Sequence, residues 1–110
     1  MYRISSLLVV LFASCLSLYA QGMYEFTSER LLDVQDLEGY SAQELLLMRN
    51  EIFARHGFIF QSSDLREHFE NQSWYSGTSR DVSASLTSIE KKNIEMIKFI
   101  ERKLNRSPSK

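Results

Sequence analysis

This sequence is poor in residues that staple, chelate or cut. It has one cysteine in 110 residues, Cys15, and that one lies in the apolar stretch at the amino terminus. No second thiol is present for a disulfide, so the fold must rest on packing and hydrogen bonding alone. The single proline, Pro108, stands near the end, and the four glycines lie far apart, so no G-x-x-x-x-G-K phosphate loop exists. His56 and His68 are the only histidines. Two such ligands without a placed carboxylate make a poor metal site, and neither a metal nor a cofactor is expected. No serine occupies a G-x-S-x-G turn. Asp64, Glu67 and Glu70 read as the solvated face of a short helix rather than as paired catalytic acids. Charge is balanced, with 13 Lys+Arg against 14 Asp+Glu. No basic run stands out, which argues against nucleic acid or an anionic lipid as partner.

What is present begins with an export signal. Arg3 supplies a positive start, Ile4 to Leu18 is apolar apart from small serines and Cys15, and Leu18-Tyr19-Ala20 offers a small residue at the cut. Residues 1–20 are therefore expected to be a secretory signal peptide. The apolar run falls short of the roughly 20 residues that span a bilayer. Phe12-Ala13-Ser14-Cys15 is a loose lipobox, but Leu16 to Ala20 stays apolar where a lipoprotein has a polar tether. Cleavage after Ala20 is favoured, and membrane attachment is expected only if Cys15 is lipidated. The processed chain would then contain no cysteine and sit in the periplasm or at the cell surface.

Beyond the signal, 21–30 shows no clear period and is expected to be a flexible lead-in. A domain is expected over 31–104, with Leu31 and Leu32 as its first anchors, and a frayed tail over 105–110. Asp33 to Gly39 predicts one short helical turn, capped by Asp33 and ended by Gly39. Ser41 and Glu44 form a capping box, and the helix they start runs to Gly57. At about 100° per residue, Leu45, Ile52 and Phe53 share one face of it, flanked by Leu46 and Met48. Arg49 and His56 fall on that same face, so Arg49 must snorkel or find an internal partner. Glu51 and Arg55 are spaced i, i+4 in the favourable order. Phe58-Ile59-Phe60 reads as a short extended run. Ser63 is expected to cap a second helix to about Asn71, with Leu65, His68 and Phe69 on one side. Trp74-Tyr75 are placed as a lid, and Ser76 to Ser85 as the longest loop. Thr87 and Glu90 form another capping box, opening a last helix whose inward stripe is Ile89, Asn93, Met96, Ile97, Ile100 and Leu104. The fold class predicted is all-α: three main helices, a short leading turn, and a long loop before the last helix.

The run Arg49-Asn50-Glu51-Ile52-Phe53-Ala54-Arg55-His56-Gly57, with Asp64-Leu65, Phe69, Trp74-Tyr75 and Glu90-Lys91-Lys92-Asn93-Ile94 behind it, resembles the YARHG domain. The likeness covers about Leu32 to Glu101. The motif's tyrosine is Phe53 here, which suits a packing role for the ring. The resemblance implies an exported cell-envelope module, sometimes attached to peptidases or lipoproteins. It carries over no catalytic residue.

Two readings of the polar cluster stand side by side. In one, Arg55 and His56 at the helix end, with Trp74 and Tyr75 as a stacking surface, bind a carboxylate or a glycan. In the other, Arg49, Asn50, Glu51 and Asn93 form an internal polar network that fixes how the helices meet. Arg49 and Asn93 are then expected to face each other or to share Asp36, Asp64 or Glu90. The function expected is that of a non-catalytic envelope module binding peptidoglycan or an envelope protein. The alternatives are a small hydrolase using His56 with Glu51 or Asp64, and a scaffold or inhibitor of a partner enzyme.

Overall fold

Capping boxes fix where the helices begin. The structure, a computed structural model, describes residues 21–106. The expected signal peptide and the last residues of the tail lie outside them. Helix α1 is Val34–Leu37, α2 is Ala42–Arg55, α3 is Ser63–Glu70 and α4 is Ser88–Arg106. At the start of α2, Ser41 Oγ accepts from Glu44 N at 3.1 Å and Ser41 N donates to Glu44 Oε1 at 2.8 Å. Thr87 and Glu90 exchange the same pair of bonds before α4. A third box, Asp33 with Asp36, opens α1. Gly39 and Gly57 take φ of 90° and 84°, the left-handed turns that stop α1 and α2. The cap of α3 is Ser62 rather than Ser63, one residue earlier than expected. The all-α prediction stands: the described residues contain no strand, and one isolated parallel bridge joins Phe58 to Ser79.

Two apolar clusters form the interior. In the larger, Leu45, Met48 and Ile52 of α2 meet Ile94 and Ile97 of α4, with Leu37, Leu32 and Tyr24 closing the ends. In the smaller, Ala54, Phe60 and Phe69 are buried, with Phe58, Leu65, Trp74 and Tyr75 packed round them. The Phe60 and Phe69 rings stack at 4.9 Å. Phe53 touches both clusters. An aromatic ring with no use for a hydroxyl fits that position, as the replacement of the motif tyrosine suggests.

Four expectations need correction. The 21–30 segment is not a loose lead-in. It forms a 3-10 turn, Glu25–Ser28, with Tyr24 and Thr27 buried, and it packs between α2 and α4. Its irregular backbone is held by side chains of those two helices, and no periodic pattern announces that. Leu31 is exposed, leaving Leu32 as the anchor. On α4, Leu104 faces solvent while Ile94 is buried, so the inward stripe is rotated and ends earlier than expected. The helix itself runs on to Arg106, past the expected start of the tail.

Candidate functional site

Residues 49 to 57 reach five different parts of the molecule. Ile52, Phe53 and Ala54 enter the apolar clusters, as above. The other residues are polar or turn the chain, and each has its own target.

Glu51 and Arg55 grip the N-terminal segment. Their side chains are only 5% and 7% exposed, and Arg55 Nη1 donates to Glu51 Oε2 at 2.6 Å. The carboxylate also accepts from the backbone N–H groups of Met23 at 3.0 Å and Tyr24 at 2.8 Å. Gly22, at φ 106°, makes this approach possible: a Cβ there would fall on the Glu51 carboxylate. Arg55 uses its remaining N–H groups on Gln21 O, Thr27 Oγ1 and Ser28 Oγ. A buried charge pair is tolerable when every other donor and acceptor is filled, and here they are. Asn93, on α4, completes the grip. Its Oδ1 accepts from Leu32 N at 2.8 Å, and its Nδ2 donates to Thr27 O at 2.8 Å and Arg30 O at 2.7 Å.

His56 turns to α4. Its Nε2 donates to Glu90 Oε1 at 2.8 Å, while Ser28 Oγ donates to Glu90 Oε2 at 2.7 Å. Burial pushes the Glu90 carboxyl up. The hydrogen bonds from Ser28, Thr87 N–H and His56 outweigh that and hold its pKa below the ordinary glutamate value. Ser28, Glu90 and His56 share a pocket of about 230 Å³. Their order is unsuited to nucleophilic catalysis. The serine bonds the carboxylate directly, where an acid–base relay needs the imidazole between them. Gly57 O accepts from Thr78 N at 2.7 Å and Ser79 N at 3.1 Å, so the motif glycine also pins the long loop.

Arg49 and Asn50 lie on the other side of α2. Arg49 binds Glu101 of α4 in bidentate fashion, Nε to Oε1 at 2.6 Å and Nη2 to Oε2 at 3.1 Å. It shares no partner with Asn93, so the joint network expected for those two residues does not form. They tie α4 to different parts of the fold. Arg49 keeps one nitrogen, Nη1, without a partner among the described residues, and Asn50 gives Nδ2 to Leu46 O and leaves Oδ1 unused. No buried side-chain nitrogen or oxygen among the described residues lacks a partner, so both free atoms reach the surface. Both residues line a groove of about 280 Å³, together with Phe53, Phe58, Arg80, Asp81, Val82 and Ser83. Arg80 is exposed and has no partner among the described residues. The Asp81 carboxylate accepts from the Ser83 hydroxyl and N–H, which hold its pKa low.

The expected stacking site is not assembled. Arg55 and His56 face the N-terminal segment, whereas Trp74 and Tyr75 pack on Phe69, and Tyr75 Oη donates to Phe58 O at 2.6 Å. Sequence reasoning also overlooked Arg80 and Ser83. They sit in an aperiodic loop, and only the fold brings them to Arg49. Among the described residues no group of three or more His, Cys, Asp or Glu is placed to hold a metal.

A family model, the YARHG domain, matches residues 19–102. The match starts twelve residues before the predicted domain boundary at 31 and so takes in the N-terminal segment that the structure packs. YARHG domains are small extracellular or periplasmic domains. No helix among the described residues is long and apolar enough to cross a membrane. No curated protein and no solved structure matches the chain.

Proposed function

The chain belongs to the YARHG domain family, and on that premise we propose that it is a non-catalytic envelope module that takes carboxylate-bearing wall material, such as peptidoglycan, into the groove between α2 and the 78–83 loop. One observation carries this reading. The two guanidinium groups at this groove retain unused hydrogen-bonding capacity, Arg80 entirely and Arg49 at Nη1, whereas that of Arg55 is filled. Guanidinium groups beside apolar rings suit a carboxylate attached to a short peptide or sugar, since the fork grips the anion while Phe53 and Phe58 cover its carbon skeleton. The free Asn50 oxygen adds an acceptor for an amide N–H. The hydrolase alternative finds less support, since His56 bonds Glu90 and Glu51 is taken by Arg55 and the Met23 and Tyr24 N–H groups.

The test is co-sedimentation with purified peptidoglycan sacculi. The protein should pellet with native sacculi and stay in solution with sacculi whose carboxylates have been converted to amides. Arg80→Ala should lose about tenfold in affinity, the effect of one charge-assisted hydrogen-bond pair. Equal binding to native and amidated sacculi, or an Arg80→Ala variant that pellets like the parent, would overturn the assignment.

A further inference from the structure

The outer side of α4 was unremarkable as a string of letters, because glutamates alternate with its lysines and arginines. Folding separates them. On a helix of about 100° per residue, Phe99 lies about 180° from Glu90 and about 160° from Ile97, which is buried. Glu90 points inward to Ser28 and His56, and Glu101 is taken by Arg49. With both acids turned away, the outer face carries Lys91, Lys92, Lys98, Arg102, Lys103 and Arg106 against a single carboxylate, Glu95, which Lys98 already meets at 3.4 Å. The rest of the described chain has the opposite balance: eleven Asp and Glu against five Arg between residues 21 and 87. In the middle of the cations, Phe99 is 43% exposed, with Lys103 Nζ over its ring at 5.5 Å. Met96 joins it at the edge of a shallow depression of about 590 Å³.

We propose that this face of α4 docks on an anionic phospholipid surface, with Phe99 entering the headgroup layer and the surrounding lysines and arginines lying against lipid phosphates. The charge complementarity selects an anionic partner. The exposed ring at the centre of the cations selects a bilayer over a soluble polyanion, because only a bilayer offers apolar depth beneath its charge. The interaction is peripheral and needs no lipid on Cys15. It is separate from the wall-binding groove, which lies on the side of α2 formed by the 78–83 loop, so either proposal can fail without the other.

The experiment is vesicle flotation of the exported chain, its amino terminus fixed by intact mass so that a lipidated Cys15 is excluded. Vesicles of equal parts phosphatidylglycerol and phosphatidylcholine should carry the protein, and pure phosphatidylcholine should not. High salt should release it, since screening shortens the reach of surface charge. Each cation near an anionic leaflet strengthens binding roughly fivefold, so the triple variant Lys92→Gln/Arg102→Gln/Arg106→Gln should lose about a hundredfold. Phe99→Ala should weaken flotation several-fold while keeping the helical circular dichroism of the parent. Absence of flotation with anionic vesicles, equal flotation with neutral ones, or a triple variant that floats like the parent refutes the proposal. So does a Phe99→Ala variant with undiminished flotation, or tighter binding to heparin than to the vesicles.

Discussion

Two sets of side chains on one helix, α2, invite comparison. On one side, Glu51, Arg55 and His56 meet the N-terminal segment and α4, and the Glu51 carboxylate and the Arg55 guanidinium are fully spoken for. On the other, Arg49 and Asn50 border a groove with free valences, and Arg80 has no partner there among the described residues. The residue types are nearly the same. What separates scaffold from site is hydrogen-bond saturation, since a filled guanidinium has nothing left to offer a ligand and a buried one cannot lose its partners without cost. By this criterion the motif that gives the family its most recognisable letters is mostly architecture. It fastens 21–28, α4 and the 78–79 loop to the end of one helix, in a domain without disulfides.

The sharpest break in the comparison comes from removing the guanidinium on the saturated side. Arg55→Ala strands the Glu51 carboxylate and leaves Thr27 and Ser28 without their donor. The expected loss is about 3–5 kcal/mol, a large share of what a domain this size possesses. Thermal melts should show a low, broad transition or none, and Asn93→Ala, which strands Leu32 N–H and two carbonyls, should follow the same direction. A parent-like melt for Arg55→Ala would refute the scaffold assignment. Gly22→Ala comes next. It adds a Cβ on the Glu51 carboxylate and forces an alanine to φ 106°. Strain of that kind costs about 2 kcal/mol, or roughly 10 °C in melting temperature. An unchanged melt would mean that the 21–24 segment does not lie over Glu51 in solution.

A smaller effect sharpens the same contrast through pH. The Glu90 carboxyl has a folded pKa below its unfolded value. Its contribution is therefore fully present above the unfolded glutamate pKa and is lost as pH falls through the folded one. Glu90→Gln should be less stable than the parent at neutral pH, and the two denaturation curves should converge in acid, below about pH 4. A gap that stays constant or widens on acidification would contradict the sign. The Asp81 carboxylate, at the groove, has its pKa lowered in the same direction by Ser83 but is exposed and screened by water, so Asp81→Asn should alter the acid limb less than Glu90→Gln.

Local signals in the sequence carried far. The boxes at Ser41 and Thr87 are readable because cap and partner stand three residues apart, and Gly57 is readable because a left-handed stop needs a glycine. The wheel also turned Asn93 inward correctly. It could not name the partners. Asn93 binds backbone groups of Thr27, Arg30 and Leu32, and such groups leave no trace in a side-chain pattern. The same blindness made 21–30 look loose, although Gly22 followed by the aromatics Tyr24 and Phe26 was a signal of close packing. Arg49 was correctly marked as needing a partner, but Glu101 lies 52 residues away and is one of several acids on offer. The groove was out of reach, since Arg80 stands in a loop with no period. The basic face of α4 was hidden by linear mixing with Glu90 and Glu101, whose inward turn only the fold reveals.

The smallest expected effect on stability is the one on which the functional side of the comparison depends. Arg80→Ala removes an exposed side chain that makes no hydrogen bond, ion pair or ring contact among the described residues, so stability should change by no more than about 0.5 kcal/mol. Arg49→Ala is expected to lie between this and Arg55→Ala, because its partner Glu101 is half-buried rather than enclosed: the Arg49 side chain is 25% exposed. The series Arg55, Arg49, Arg80 thus ranks three arginines by how completely the fold consumes them. Paired melts and sacculus sedimentation on all three should run in opposite orders for stability and for specific loss of binding. If Arg80→Ala melts well below the parent, the 78–83 loop depends on contacts absent from this structure, and the groove it borders loses its claim to be a free site.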